Sequence, residues 1–160
     1  MPKTMKQIDQ IDSIDRKLLQ LLQQNATLSH SALAEQVGSS TASVWRRIKA
    51  LENAGVLGPM VRLVDPQAIG RGVNVLCQVR MRSHMTANRQ QFEDFIASRS
   101  EVMECYSMSG EWDYLLRVVV ADVAGYEHFL MRELLGHPSV ATCSSHFALS
   151  QVKYTTAMPV

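Results

Sequence analysis

Residues 38–53 read GSSTASVWRRIKALEN and combine a helix signal, a cluster of cations and a glycine turn. The serines at the start of the stretch can cap a helix, because a hydroxyl accepts a hydrogen bond from a first-turn N–H group. Val44, Ile48 and Leu51 recur at the spacing of one buried helix face. The opposite face carries short polar side chains followed by cations, which suits the major groove of DNA. We therefore predict an amphipathic helix whose polar face contacts double-stranded DNA.

The stretch HSALAEQV, residues 30–37, predicts a second helix directly before this one. Ala34 is small enough for the two helices to cross closely, and Gly38 supplies a turn position where a positive φ is free of strain. This order is typical of a helix-turn-helix, although an ordinary αα-hairpin with a solvated basic face has the same pattern. The candidate DNA contacts are Ser39, Ser40, Thr41, Ser43, Arg46, Arg47 and Lys49.

Composition limits the classes of protein that the chain can form. The 160 residues are 46% hydrophobic with a net charge of +1, so DNA contact requires a local basic patch. Three widely spaced cysteines without a CxxC pattern indicate reduced core residues, with no metal ligands among them. No apolar run approaches the roughly 20 residues that span a bilayer, and no signal peptide is evident. We expect a soluble, cytoplasmic protein without a membrane partner.

The segments that flank the helix pair complete a DNA-binding head. IDSIDRKLLQLLQQN, residues 11–25, has helical spacing and acidic residues near its start that complement the helix dipole. Ser29 is the predicted N-cap of the second helix, and Gly55 the predicted end of the third. VLGPMVRLVDP, residues 56–66, contains two short β-like runs and predicts a hairpin, or wing. Its Arg62 either contacts a phosphate or is simply solvated.

The pattern of apolar and polar residues changes after the boundary DPQAIGRG, residues 65–72. Alternating residues predict strands, and amphipathic spacing predicts helices, in the order β-α-β-β-α-β. The corresponding stretches are residues 73–81, 88–99, 101–110, 113–121, 124–137 and 141–154. This is the ferredoxin-like arrangement, in which two helices cover one face of an antiparallel sheet. A homodimer would cover the other face most simply.

The predicted fold class is therefore α+β, with a winged helix-turn-helix and a ferredoxin-like domain. The predicted domains are 1–64 for DNA binding, 65–73 as a linker, and 74–160 as the ferredoxin-like domain through which the chain oligomerises.

This arrangement resembles the Lrp/AsnC family of bacterial and archaeal transcription regulators. The resemblance is carried by the head IDRKLLQLLQQNATLSHSALAEQVGSS with RRIKALENAGVL, and by SGEWDYLLRV and SSHFALSQVKYTTAMP. In that family the C-terminal RAM domain forms dimers, which often assemble further to tetramers or octamers. The resemblance implies a nucleoid-associated regulator of amino-acid metabolism whose assembly or DNA binding responds to a small amino acid. Many relatives have prolines where this chain has Ser-Thr-Ala-Ser, so its base readout should differ.

The hairpin SGEWDY, residues 109–114, offers groups that suit a zwitterion. Backbone N–H groups around Ser109 and Gly110 can hold a carboxylate, while Glu111 or Asp113 can accept from an ammonium group. Alternatively, Asp113 satisfies backbone donors at a strand end, and Trp112 and Tyr114 pack against a second subunit. By family position the resemblance implies the ligand-binding residues Ser107, Gly110, Asp113, Val123, His146, Phe147 and Leu149. Glu111 is a further candidate, because its carboxylate can accept from an ammonium group. The apolar members favour a hydrophobic or sulfur-containing effector, with no other cofactor.

Two other classes of protein compete with a ligand-responsive regulator. An enzyme on this scaffold is disfavoured, because no nucleophile triad, phosphate-binding loop or metal-ligand spacing occurs and no catalytic residue stands out. An architectural protein that wraps DNA without a small effector is the remaining alternative.

Overall fold

The structure, a computed structural model, describes residues 11–160. In chain order its elements are α1 (Ser13–Gln24), α2 (His30–Val37), α3 (Thr41–Asn53), β1 (Val73–Met81), α4 (Thr86–Ala97), β2 (Val102–Ser107), β3 (Tyr114–Val120), α5 (Val123–His128) with a π-helical continuation (Phe129–Leu134), and β4 (Val140–Phe147). The described residues form two compact units, one of residues 11–62 with 153–160 and the other of residues 63–152. The last eight residues, which we assigned to the second domain, thus pack with the first unit.

Side-chain caps and a small apolar core hold the three helices of the first unit. The Asp12 carboxylate caps α1 by accepting from the Asp15 N–H at 2.9 Å, and the Ser29 hydroxyl caps α2 by accepting from the Ala32 N–H at 3.1 Å. Gly38 ends α2 with a φ of 64°, the left-handed conformation that the glycine was predicted to supply. The core consists of Leu18, Leu33, Ala34, Val44 and Ile48.

The wing predicted over residues 56–66 is absent. Residues 58–65 form no strand, and the apolar side chains of this segment are exposed, Met60 at 69% and Val61 at 70%. A β-hairpin needs two runs that pair through backbone hydrogen bonds, and Pro59 has no N–H to donate. Although the segment has the composition of a strand, it pairs with no other strand within the described chain.

The second unit has the predicted ferredoxin-like topology. The sheet order is β2-β3-β1-β4, and all three pairings are antiparallel. Val75, Cys77 and Val79 of β1 are fully buried, because alternate residues of a strand point to the same face. Phe92 of α4 and Phe129, directly after α5, pack on this face and complete the core.

The opposite face of the sheet carries mixed chemistry and is more open. Leu76 of β1 is 40% exposed and Tyr106 of β2 is 52% exposed. An ion pair of 2.7 Å joins Arg117 Nε on β3 to Glu104 Oε1 on β2. Apolar groups and a preformed ion pair thus share a surface without helices of its own unit.

The strand β4 is shorter than the alternation of residues 141–154 predicts. It pairs only with β1, and the last backbone bond runs from the Ala148 N–H to the Asn74 carbonyl at 2.9 Å. Since β1 begins at Val73, no residue remains there to pair with residues beyond 148. The chain instead returns to α1, where the Gln23 side chain donates to the Met158 carbonyl at 3.1 Å and accepts from its N–H at 2.6 Å.

The three cysteines are free thiols, but they are not all core residues. Cys77 is fully buried and Cys143 is half-buried, whereas Cys105 is exposed on the edge strand β2. The expectation of three core cysteines was therefore wrong for Cys105, because β2 pairs on one side only and has little cover.

His137 makes the stability of the second unit depend on pH. Its ring lies 4.8 Å from that of Phe95 and 5.7 Å from that of Phe92, and burial lowers its pKa below the usual 6.5. The Ser139 N–H donates to His137 Nδ1 at 3.3 Å, which requires that nitrogen to be unprotonated. The unfolded chain therefore takes up a proton near pH 6.5 that the folded chain resists.

We expect the free energy of unfolding to fall as the pH drops from 7.5 through 6.5 towards the lower folded pKa. Chemical denaturation of the wild type at pH 7.5 and 5.5 measures this fall. His137→Gln should show a smaller fall, and the exposed His128→Gln serves as a matched control. An identical fall in His137→Gln would assign the pH dependence to other groups.

Candidate DNA-binding surface and ligand site

The helix α3 is held with its basic side away from the core of the first unit. The Ser40 hydroxyl caps it by accepting from the Ser43 N–H at 3.2 Å. Val44, Ile48 and Leu51 are buried, as their spacing predicted. The outward side presents side chains that a DNA groove can reach. Of the predicted DNA contacts, Ser40, Thr41, Arg46 and Lys49 are exposed, while Ser39, Ser43 and Arg47 are half-buried.

Arg47 is engaged inside the first unit. Its Nη1 lies 2.7 Å from Asp12 Oδ2 and 2.8 Å from Asp15 Oδ1, and its side chain is only 25% exposed. The two carboxylates raise the pKa of Arg47, with Asp15 the larger cause. The pKa of Asp12 is lowered, first by the N–H of Asp15 and then by Arg47. The arginine therefore joins α3 to the start of α1.

The cations that remain on the outward side are Arg46 and Lys49. Lys49 Nζ lies 2.7 Å from Glu52 Oε2, in an exposed ion pair one helical turn apart. Such a pair contributes little to stability and can open when a phosphate competes for the lysine. Within residues 11–160, Arg46 has no hydrogen-bonded or ion-paired partner. Of these two cations, Arg46 is thus the more available to DNA.

Sequence reasoning omitted Trp45 from this surface. The indole is 53% exposed and lies between the buried and the cationic faces of α3. The sequence does indicate this exposure. At about 100° per residue, Trp45 lies about 90° around the helix from the centre of the buried Val44, Ile48 and Leu51 stripe.

The connection between β2 and β3 is a tight hairpin closed by its own backbone. The Met108 N–H donates to the Asp113 carbonyl at 2.8 Å, and Gly110 has a φ of 108°, which favours glycine. Asp113 Oδ2 accepts from the Met81 N–H at 2.7 Å, and Oδ1 lies 3.4 Å from His84 Nδ1. One oxygen of Asp113 therefore supports the strand end, as the alternative interpretation held.

Glu111 and Trp112 of the hairpin both contact Arg80 of β1. Arg80 Nη2 lies 2.6 Å from Glu111 Oε1, and its guanidinium carbon lies 5.0 Å from the centre of the Trp112 ring. Tyr114, for which packing against a second subunit was left open, is 2% exposed and lies 4.9 Å from Phe92 in its own core. The hairpin is thus anchored to its own sheet, with Ser107 and Gly110 exposed.

The other predicted ligand residues lie at the opposite end of the sheet. The hairpin lies beside the end of β1, where Val79 pairs with Tyr114. Phe147 instead pairs with Val75, near the start of β1. Val123 follows β3, which ends opposite Val73. Val79 is six positions after Val73, so the two ends are about 20 Å apart at the rise of a β-strand.

This distal group consists of partly or fully exposed side chains. Val123 is 60% exposed, Phe147 is 45% exposed, and Leu149 is fully exposed. The Phe147 ring lies edge-on to Tyr126 at 5.4 Å, and His146 Nε2 lies 3.1 Å from Ser144 Oγ. One chain therefore has Ser107, Gly110, Glu111 and Asp113 at one end of the sheet and Val123, His146, Phe147 and Leu149 at the other. Within the distal group, His146 pairs with Leu76 and Phe147 with Val75, so these two side chains lie on opposite faces of the sheet.

Among residues 11–160, no cluster of three or more histidine, cysteine or acidic side chains is placed to hold a metal ion. None of the described helices combines the length and the apolar character needed to cross a membrane.

The geometry defines a class of protein with a DNA-binding helix-turn-helix and a separate ferredoxin-like domain. The family model of the AsnC-type helix-turn-helix domain matches residues 11–52, and that of the Lrp/AsnC ligand binding domain matches residues 74–158. The chain belongs to the Lrp/AsnC family and is a DNA-binding transcriptional regulator. This is a family of regulators and not of enzymes.

Individual relatives match along nearly the whole chain. The DNA-binding transcriptional activator DecR of Escherichia coli K12 is 41% identical over 150 residues, which cover 94% of this chain and 99% of that protein. A transcriptional regulator from Neisseria meningitidis, solved in complex with L-Met, is 34% identical with a TM-score of 0.88, covering 92% of this chain and 96% of that one. An AsnC family regulator from Agrobacterium tumefaciens is 42% identical with a TM-score of 0.87 and the same coverage.

Proposed function

We propose that this regulator binds a small amino acid in a site shared by two subunits, and that binding changes its assembly or its affinity for DNA. The observation that carries this proposal is the separation of the two groups of candidate ligand residues by about 20 Å along β1. A single amino acid cannot touch both groups of one chain. The hairpin of one subunit and the distal group of another can enclose it together.

A homodimer provides the first level of this assembly. The open sheet face carries Leu76 and Tyr106, and the segment between α3 and β1 exposes Met60, Val61 and Ile69 at 62% or more. Exposed apolar groups of this size favour association with a second copy. Dimers that then meet through the two ends of their sheets would form tetramers or octamers with repeated ligand sites.

The chemistry of the two groups suits an amino acid with an apolar or sulfur-containing side chain. The N–H groups around Gly110 offer a place for the carboxylate, and Asp113 Oδ1 or the Glu111 carboxylate can accept from the ammonium group. Val123, Phe147 and Leu149 of the other subunit then supply an exposed apolar surface. The L-Met complex of the Neisseria relative supports this choice of ligand.

For the DNA contacts we propose Ser39, Ser40, Thr41, Ser43, Arg46 and Lys49 on the groove side. Arg47 fixes the helix from behind through its two carboxylates. We propose a cytoplasmic, nucleoid-associated regulator of amino-acid metabolism, which agrees with relatives such as the glutamate uptake regulatory protein of Zymomonas mobilis, 35% identical over 153 residues. The architectural alternative is not favoured, because residues 74–158 match a ligand binding domain.

A thermal screen with the twenty L-amino acids tests the effector. A ligand that binds only the folded protein at 100 times its Kd stabilises it by about 2.7 kcal/mol. We expect L-methionine or another apolar amino acid to raise Tm by several degrees and to change DNA binding at fixed salt. L-Lysine is the matched control of similar length. If none of the twenty changes either Tm or DNA mobility, the effector proposal fails while DNA binding stands.

A further inference from the structure

Trp45 is a large apolar side chain at the edge of the cationic face of α3. Val44, Ile48 and Leu51 of the same helix are buried, whereas the Trp45 indole is 53% exposed. Of the large apolar side chains on the described helices α1, α2 and α3, it is the one that stays exposed. A tryptophan offers more apolar surface than other side chains, and exposed tryptophans are enriched where proteins bind partners.

No ring stacking, cation–π contact or hydrogen bond involves the Trp45 indole within residues 11–160. The other tryptophan of the chain, Trp112, lies against the Arg80 guanidinium. The exposed area of Trp45 is therefore available to a partner without disturbing the core of the helix-turn-helix.

The neighbours of Trp45 favour DNA as that partner. Arg46 is adjacent in sequence and unpaired within the described chain, and Lys49 lies one turn further along the same side. A surface with two cations around an aromatic ring complements a groove lined by phosphates. The cations can bind phosphates or guanine, whereas the indole needs an apolar contact.

We propose that Trp45 contacts the C5-methyl group of a thymine in the major groove and so helps to set sequence preference. The thymine methyl is the apolar group that a base pair presents in that groove. The N-terminal half of α3 otherwise has small side chains, Thr41, Ala42 and Ser43, which let the helix approach the bases closely. This inference rests on the DNA-binding function of the family and adds to it one residue that contacts a base.

The test uses the duplex that the full-length protein selects from a random library. Replacing thymines of that duplex one at a time by deoxyuridine removes a single methyl group. We expect one position at which the wild type loses about fourfold in affinity, the equivalent of one buried CH₂ group. Trp45→Ala should bind the original duplex more weakly and be insensitive to deoxyuridine at that position. Trp45→Phe should retain part of the sensitivity.

A fluorescence experiment gives an independent reading. In the Trp112→Phe variant Trp45 is the remaining tryptophan, so its emission should shift when the selected duplex is added. Thermal denaturation confirms that each variant folds. If the deoxyuridine profile is the same for wild type and Trp45→Ala, Trp45 does not read a methyl group. If the emission also stays unchanged, the indole faces another partner, such as a second copy of the chain. Failure of the wild type to select any sequence would instead remove the specific DNA-binding function itself.

Discussion

Replacing Arg46 by alanine is expected to lower the affinity for the selected duplex by about 1–3 kcal/mol, the range for one good base contact. Arg46 is exposed, and its guanidinium has no partner among residues 11–160, so its loss leaves no buried charge behind. The stability of the variant should therefore match that of the wild type. Titration of the duplex by fluorescence anisotropy at a fixed salt concentration measures the effect.

Arg47→Ala is the matched control, because the two arginines are neighbours with opposite surroundings. Arg47 donates to Asp12 and Asp15, so its removal should destabilise the first unit by about 2 kcal/mol, as for other hydrogen bonds to charged groups. At temperatures where Arg47→Ala is partly unfolded, both variants would bind DNA poorly. Only Arg47→Ala, however, should show a lower Tm. Equal sequence preference in wild type and Arg46→Ala would mean that Arg46 contacts phosphate alone, and the salt dependence would then decrease.

The contrast between these two arginines shows how far the sequence of α3 can be interpreted. Its buried stripe follows from spacing alone, since Val44, Ile48 and Leu51 repeat with the period of a helix. The partners of Arg47 are 32 and 35 residues earlier in the chain, at the start of α1. No local pattern connects such distant charges, so Arg47 was grouped with the other cations.

The same limit explains the segment after α3. Residues 56–66 have the composition of two β-runs, but a strand exists only where another strand pairs with it. In the second unit every predicted strand pairs with another strand of one sheet. The alternating patterns and the helical stretches between them predicted the same topology. The end of β4 was missed because it depends on where β1 begins, which the pattern of residues 141–154 does not contain.

The candidate ligand residues show a third kind of limit. The resemblance implied one pocket, and the hairpin chemistry supported part of it. Only the sheet order reveals that Gly110 and Val123 lie at opposite ends of one sheet. Whether two such groups meet is a property of the assembly, which the sequence of a single chain leaves open.

Mixing two inactive variants tests whether the ligand site is shared between subunits. Gly110→Ala should disable the hairpin group, because a φ of 108° is strained for any side chain and the peptide would turn. Val123→Glu should disable the distal group by placing a charge on its exposed apolar surface. Each variant alone should lose the rise in Tm caused by the amino acid that is most active on the wild type.

Refolding the two variants together lets their subunits assemble at random. A shared site is intact when a chain with a normal hairpin meets a chain with a normal distal group, so binding should return at about a quarter of the sites. Met131→Glu, which changes an exposed residue outside both groups, controls for the added charge. Mixed oligomers that bind no ligand at all would place the complete site within one chain. Recovery in the mixture, with none in either variant alone, requires that two subunits build each site.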